Sequence, residues 1–327
     1  MRRSPLRRWG GLFAVLALCA CSPPPVALPK GPMSAGPGIT VVAQPVPLNP
    51  SAPQQDRLGD FTYAGGLALA SGDTARLHGL SDLKVLADNR IVSESDEGDL
   101  LEARLVLDAK GRLAGIADAR MSVLTGPDGE PLQGKNESDA EGIAVLPDGD
   151  RLVSFEDDDR ILLYPAKGGA PHAVNSPDVT FRHNLGMEAL AALPSIAPDA
   201  YVTGQEDTGQ TWICRLSRAC VLDRKVDVPM GAGLTAVAPL PQGRTAYLIR
   251  AWDPVRGSRV SLLVLDAKGA QVSRIELAAP LSVDNFEGLG AVPSASGAVR
   301  FYLISDDNFS AKQRTLLLAF DWTPPTR

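Results

Sequence analysis

Histidine and cysteine are scarce in this 327-residue chain, three and four respectively, and aromatic residues make up only 5%. The histidines His78, His172 and His183 are not spaced as HExxH or a comparable zinc motif. No Gly-x-Ser-x-Gly occurs, which removes the nucleophile elbow of the common serine esterases. Its nearest look-alike, His78-Gly79-Leu80-Ser81-Asp82, falls where a strand opens, so Ser81 reads as a strand residue. A basic surplus is also missing. The net charge is −6, and the first twenty residues carry four arginines and no acid, leaving −10 on the remainder. That excludes the basic face a nucleic-acid partner requires, and it is compatible with cation binding or with solubility alone. Long helical periodicity is absent, which leaves an all-β reading.

The N-terminus combines Arg2, Arg3, Arg7 and Arg8 with an apolar stretch from Trp9 to Leu18. It reads as a secretion signal over residues 1–20, too short to span a membrane stably. Leu18-Cys19-Ala20-Cys21 resembles the bacterial lipobox, with Cys21 as the lipidated first residue, and Ser22 fits sorting to the outer membrane, facing the periplasm. An ordinary signal peptide cut nearby is the alternative. Residues 21–56 are rich in Pro, Ala and Gly with little charge, and read as a disordered tether. The folded domain is then expected over residues 57–327. Within it, Cys214 and Cys220 flank a short polar turn between two apolar runs; they read as a hairpin disulfide or as two buried thiols.

What the chain has is a repeat. A glycine beside an apolar strand opening recurs at Gly79, Gly142, Gly186, Gly233 and Gly288, and an acidic cluster follows each time. One unit runs Glu141 to Leu146, a Pro147-Asp148-Gly149-Asp150 turn, Arg151 to Phe155, an acidic run from Glu156 to Asp159, and Arg160 to Tyr164. Short apolar runs bounded by Pro, Asp and Gly are strand, turn, strand, turn, strand. Even an outer turn repeats, as Asp108-Ala109-Lys110-Gly111 and Asp266-Ala267-Lys268-Gly269. A period of this size predicts a β-propeller of four-stranded antiparallel blades. Five repeats are legible, and Phe61 to Leu69 supplies strand material suited to pairing with Thr315 to Trp322, closing the ring.

In such a blade the turn between the second and third strands lies at the same end as the start of the first. Glu141 therefore shares a face with the 156–159 cluster, and Glu287 with Asp306 and Asp307. Carboxylates gathered at one channel mouth repel unless a cation or donor intervenes, and hard oxygen ligands suit Ca²⁺. Asp and Asn also accumulate in tight turns for purely local reasons. Glu141, Asp157, Glu188, Glu287, Asp306 and Asp307 are the candidate calcium ligands. Arg160, Arg182, Arg250 and Lys312 are candidates for binding an anionic substrate, and each also reads as an ion-pair partner of a neighbouring acid. His183, near the same face, reads as a packing histidine or a substrate-orienting one.

The phrases Glu141-Gly142-Ile143-Ala144, Asn184 to Leu190, Asn285 to Leu289, and above all Ser305-Asp306-Asp307-Asn308-Phe309 followed by Gln313 and Leu316 to Phe320, resemble the phytase-like family of propellers described as "esterase-like activity of phytase". The resemblance covers about residues 60–322. It implies a calcium-dependent propeller that hydrolyses phosphoesters or carboxylic esters, and it favours six blades, about 45 residues each across 57–327. In that reading, metal ions polarise the ester oxygen and bind the attacking water. The competing reading is a non-catalytic binding or scaffold propeller of the cell envelope.

Overall fold

The computed structural model describes residues 36–325. Five antiparallel sheets follow one another along the chain. The first blade is Leu80–Val85, Arg90–Ser95, Asp99–Leu107 and Leu113–Val123. The second is Ala140–Val145, Arg151–Phe155, Arg160–Tyr164 and His172–Ala173; the third is Met187–Ala192, Ala200–Gln205, Gln210–Arg215 and Arg218–Lys225. The fourth is Ala232–Pro239, Thr245–Asp253, Gly257–Leu265 and Gln271–Leu277. The fifth takes Asn285–Pro293, Val299–Asp306 and Thr315–Trp322 from the C-terminal end and Phe61–Ala70 from the N-terminal end. The first strands of successive blades touch in a closed ring around a central channel.

Each blade buries both faces, which explains why its strands read as apolar runs rather than as clean alternations. In Thr315–Trp322, Leu316, Leu318 and Phe320 enter the core between the fourth and fifth blades, while Leu317 and Ala319 enter the core between the fifth and first. Leu152 and Val153 divide in the same way between the two neighbours of the second blade. Five apolar clusters result, one per blade interface.

Two expectations change. The ring has five blades, the number of repeats, and not six. The length that suggests a sixth is used in extra strands at the edge of the fifth blade and in strands as long as the eleven residues of Leu113–Val123. The tether expected to reach residue 56 is also too long. Val42–Pro45 pairs with Phe61–Ala70, Leu48 is fully buried, and Ser282 N donates to Leu48 O at 2.8 Å. Pro45 fits because this strand is the outermost of its sheet, where a missing N–H breaks no ladder. Cys21 and residues 1–20 lie outside the described residues.

The repeated outer turns are local carboxylate turns: Asp108 Oδ1 accepts from Lys110 N and Arg112 N, and Asp266 Oδ1 accepts from Lys268 N and Ala270 N. Cys214 and Cys220 are disulfide-bonded across the hairpin of the third blade.

Candidate functional site

All five first strands carry a register shift at their opening, and the residue out of register is Ser81, Glu141, Glu188, Thr235 and Glu287 in turn. A bulge re-aims one side chain and ends regular pairing. Here the same device, repeated around the ring, sets three glutamates at one end of the channel. The bulges also give the true period. The glycine phrase falls two residues before the bulge in the first, third and fourth blades and one residue after it in the second and fifth.

The residue just after the second strand is equally repetitive. Asp96 N donates to Gly79 O at 3.0 Å, Glu156 N to Asp139 O at 2.9 Å and Glu206 N to Gly186 O at 3.1 Å. These equivalent bonds bring Asp96, Glu156 and Glu206 to the mouth beside the bulged glutamates. Carboxylate oxygens of Asp139, Glu141 and Glu156 lie within 4.8 Å of one another, as do those of Glu156, Glu188 and Glu206. Glu156 belongs to both groups, and its Oε1 also accepts from Gly186 N at 2.7 Å. Gly233 leaves room for this cluster, because a Cβ there would displace the Glu206 side chain from its present position.

The fourth blade departs from the pattern and contributes Thr235 and Arg250. Arg250 lies 3.0 Å from Glu287, 3.4 Å from Glu206 and 3.8 Å from Glu188. Lys135 Nζ is the second cation, 2.6 Å from Asp139 Oδ1 and 3.5 Å from Asp96 Oδ2. Eight acids, Asp96, Asp139, Glu141, Glu156, Glu188, Glu206, Glu287 and Asp306, thus face these two bases.

The imbalance appears in the proton affinities. Burial, reinforced by the charge of Asp306, raises Asp96 to about 7. Burial, with Asp139 and Glu206 nearby, raises Glu156 to about 7 despite the amide bond it accepts. Burial raises Glu287 to about 8 against the opposing charge of Arg250. Glu141 and Glu188 are driven well above the carboxylate range by burial and by the surrounding glutamates. Deeper in the channel, Asp82 accepts from Ile143 N and Leu289 N at 3.2 Å each, tying three blades together. Its register mate Glu94 is fully buried, with neither carboxylate oxygen hydrogen-bonded.

These residues fit a hard divalent cation. The donors are all carboxylate oxygens, their spacing suits an ion bound at about 2.3–2.6 Å, and Asp96 Oδ1 and Asp139 Oδ2 are buried without a hydrogen-bond donor.

Of the acids expected from sequence, Glu141 and Glu188 stand in the two groups, and Glu287 lies beside them against Arg250. Asp306 accepts from Asn285 Nδ2 at 3.1 Å and from Asn308 N at 2.6 Å, close to Glu287 in the same mouth. Asp157, at φ 63°, pairs with His183 Nδ1 and is in neither carboxylate group, and that histidine is largely exposed. Asp307 is committed to His78 and to neighbouring donors, so it does not join a carboxylate group. Among the bases, Arg250 alone reaches the glutamates. Arg160 pairs with Asp158 at 3.3 Å and stacks over Phe155, Arg182 pairs with Asp207, and Lys312 is exposed on the rim. Sequence reading left out Asp139, Glu156 and Glu206 as ligands. The available signal was positional: Asp96, Glu156 and Glu206 all stand first after the second strand.

Ring, bulges and acidic mouth together define a five-bladed propeller with a carboxylate-lined channel. The chain belongs to the phytase-like family, described as "esterase-like activity of phytase", which matches residues 75–309. Among solved structures it is similar to a streptogramin B lyase, at 12% identity and a TM-score of 0.43 over 88% of this chain and 99% of that one. It is also similar to an inactive H270A virginiamycin B lyase from Staphylococcus aureus with quinupristin, at 10% identity and a TM-score of 0.42 over 87% and 100% of the two chains. A comparison with proteins of curated function finds no match.

Proposed function

We propose that this propeller is a calcium-dependent hydrolase of phosphoesters or carboxylic esters, acting at the acidic mouth of its channel. The observation that carries the proposal is the pair of carboxylate groups joined through Glu156. Asp139, Glu141 and Glu156 would hold one cation, and Glu156, Glu188 and Glu206 a second. Bound there, calcium supplies Lewis acidity toward a phosphoryl or acyl oxygen and a site for water. The protein's own residues fix that arrangement. The bulges aim the glutamates inward, Gly186 N orients Glu156, and Arg250 offsets part of the negative charge. A mouth with this excess of acid repels an anionic phosphoester until cations neutralise it, so substrate binding and cation binding are coupled.

The proposal places the protein in the bacterial cell envelope, as a lipoprotein anchored through Cys21 in the outer membrane and facing the periplasm. The N-terminal sequence supports this, and so does the Cys214–Cys220 disulfide, which suits an oxidising compartment.

The test is a calcium titration of the protein that follows thermal stability together with turnover of p-nitrophenyl phosphate and p-nitrophenyl acetate. Turnover that depends on calcium and is lost in Glu156→Gln supports the hydrolase and selects its ester class. Stabilisation by calcium without turnover of either substrate would leave a cation-binding scaffold of the envelope.

A further inference from the structure

His78 and Asp307 form a pair that the calcium site does not use. His78 Nδ1 lies 2.6 Å from Asp307 Oδ2, and the pairing joins the first blade to the fifth. Asp307 is held from several sides: Oδ1 accepts from Gly79 N at 3.1 Å and from Phe309 N at 3.2 Å, and Oδ2 accepts from Thr315 Oγ1 at 2.9 Å. The carboxylate is nearly buried, at 6% exposure, whereas the imidazole is 43% exposed. With Nδ1 fixed by the carboxylate, Nε2 is left for solvent or substrate. A ring oriented by a buried acid in this way has the geometry of a histidine positioned for proton transfer.

Its place in the fold puts it at the acidic mouth. Gly79, the next residue, has φ 61°, accepts from Asp96 N at 3.0 Å, and packs so tightly against the Asp96 carboxylate that a Cβ would collide with it. On the other side stands Phe309, 42% exposed, its ring centroid 5.7 Å from that of His78. Asn308 and Phe309 have consecutive φ values of 49° and 50°, in the left-handed region that a phenylalanine rarely enters. Such backbone persists where the surroundings over-determine it, and it concentrates at functional sites. Ser305-Asp306-Asp307-Asn308-Phe309 is the segment that imposes this conformation. Asp306 Oδ1 accepts from Asn308 N at 2.6 Å and Asp307 Oδ1 takes Phe309 N, while Ser305 Oγ donates to Arg314 O at 2.7 Å.

We propose that His78, oriented by Asp307, is the general acid that protonates the leaving-group oxygen of the ester, with Phe309 packing against the leaving group. The inference rests on the hydrolase reading above. Water adds to the phosphorus or acyl carbon and releases one proton to solvent, and the bond from that atom to the ester oxygen breaks. Its electron pair stays on the leaving oxygen, which takes the proton from Nε2. The imidazole then regains a proton from solvent, so the sum is ester plus water giving acid plus alcohol. The acids whose charge acts most on His78 are Asp307, Glu97 and Asp306, and Asp96 lies against the adjacent Gly79.

The experiment compares ethyl phosphate with p-nitrophenyl phosphate, and ethyl acetate with p-nitrophenyl acetate, in the wild type and His78→Gln. An alkoxide leaves poorly without a proton and a nitrophenolate leaves readily, so the variant should lose turnover of the ethyl ester about 100-fold more than that of its nitrophenyl counterpart. Equal losses on both esters, or no loss, overturn the assignment and leave the hydrolase standing. No turnover of any ester by the wild type overturns both. A melting curve identifies a variant that fails to fold, and the wild-type pH profile then decides. Turnover of the ethyl ester should fall on the basic side with an apparent pKa above the ordinary histidine value, because the bond to Asp307 favours the protonated ring. The nitrophenyl ester should lack that limb, and identical profiles overturn the proposal.

Discussion

Arg250 Nε stands 3.0 Å from Glu287 Oε1, and the same guanidinium reaches Glu188 and Glu206. One cation from the fourth blade thus serves glutamates from the third and fifth. Removing one partner from a buried ionic cluster leaves the others uncompensated, at a cost of about 3 kcal/mol or more. Arg250→Gln should therefore lower stability in urea by about that amount, and saturating calcium should restore part of it. A variant as stable as the wild type without calcium would show that Arg250 is not the main counter-charge.

The raised carboxylates fix the sign of a pH effect. Asp96 and Glu156 protonate at about 7 and Glu287 at about 8 in the folded protein, against about 4 in an unfolded chain. Across that window the folded state holds more protons, so its stability falls as pH rises from about 4 to 8. His78, raised by Asp307, acts in the same direction, while Asp307, held low, acts oppositely at the acid end. Melting curves in chelator should show this decline, and calcium should flatten it. A melting temperature that climbs toward pH 8 in chelator would contradict the carboxylate assignment.

Glu156 lies in both carboxylate groups, whereas Glu206 and Asp139 lie in one each. Calorimetric titration with calcium should show Glu156→Gln weakening binding by about tenfold more than Glu206→Gln, a difference of about 1.4 kcal/mol. Equal effects would mean that the two groups do not share a ligand.

A chain beginning at residue 57 loses the Val42–Pro45 strand and the fully buried Leu48. Burial of one leucine is worth about 2 kcal/mol, so this truncation should melt roughly 3 °C or more below a chain beginning at residue 36. Equal melting temperatures would return residues 36–56 to the status of a tether.

The repeat, the all-β class and the closure of Phe61–Ala70 on Thr315–Trp322 were legible because they rest on strand grammar and on edges that need a partner. The shared face of Glu141 and the acidic run after Phe155 was legible too, since antiparallel connection dictates it. Choosing the ligands within that run was harder. Asp157 and Glu156 are chemically alike in a sequence, and only the folded chain pairs Asp157 with His183 while Glu156 joins both carboxylate groups. The bulges were hidden because the glycines lie on different sides of them in different blades. The pairing of His78 with Asp307 spans 229 positions and has no local signal.

The closing strand also sets the order of assembly. Phe61 lies opposite Trp322 in the finished sheet, so the fifth blade cannot form until nearly the whole chain has been made. Joining ends that far apart costs about 5 kcal/mol of chain entropy, against only short hairpin closures inside the other blades. The first four blades can therefore form their sheets early, while Phe61–Ala70, paired with Val42–Pro45 on one side, waits with its other edge open, the edge most exposed to wrong partners before the last hairpin arrives.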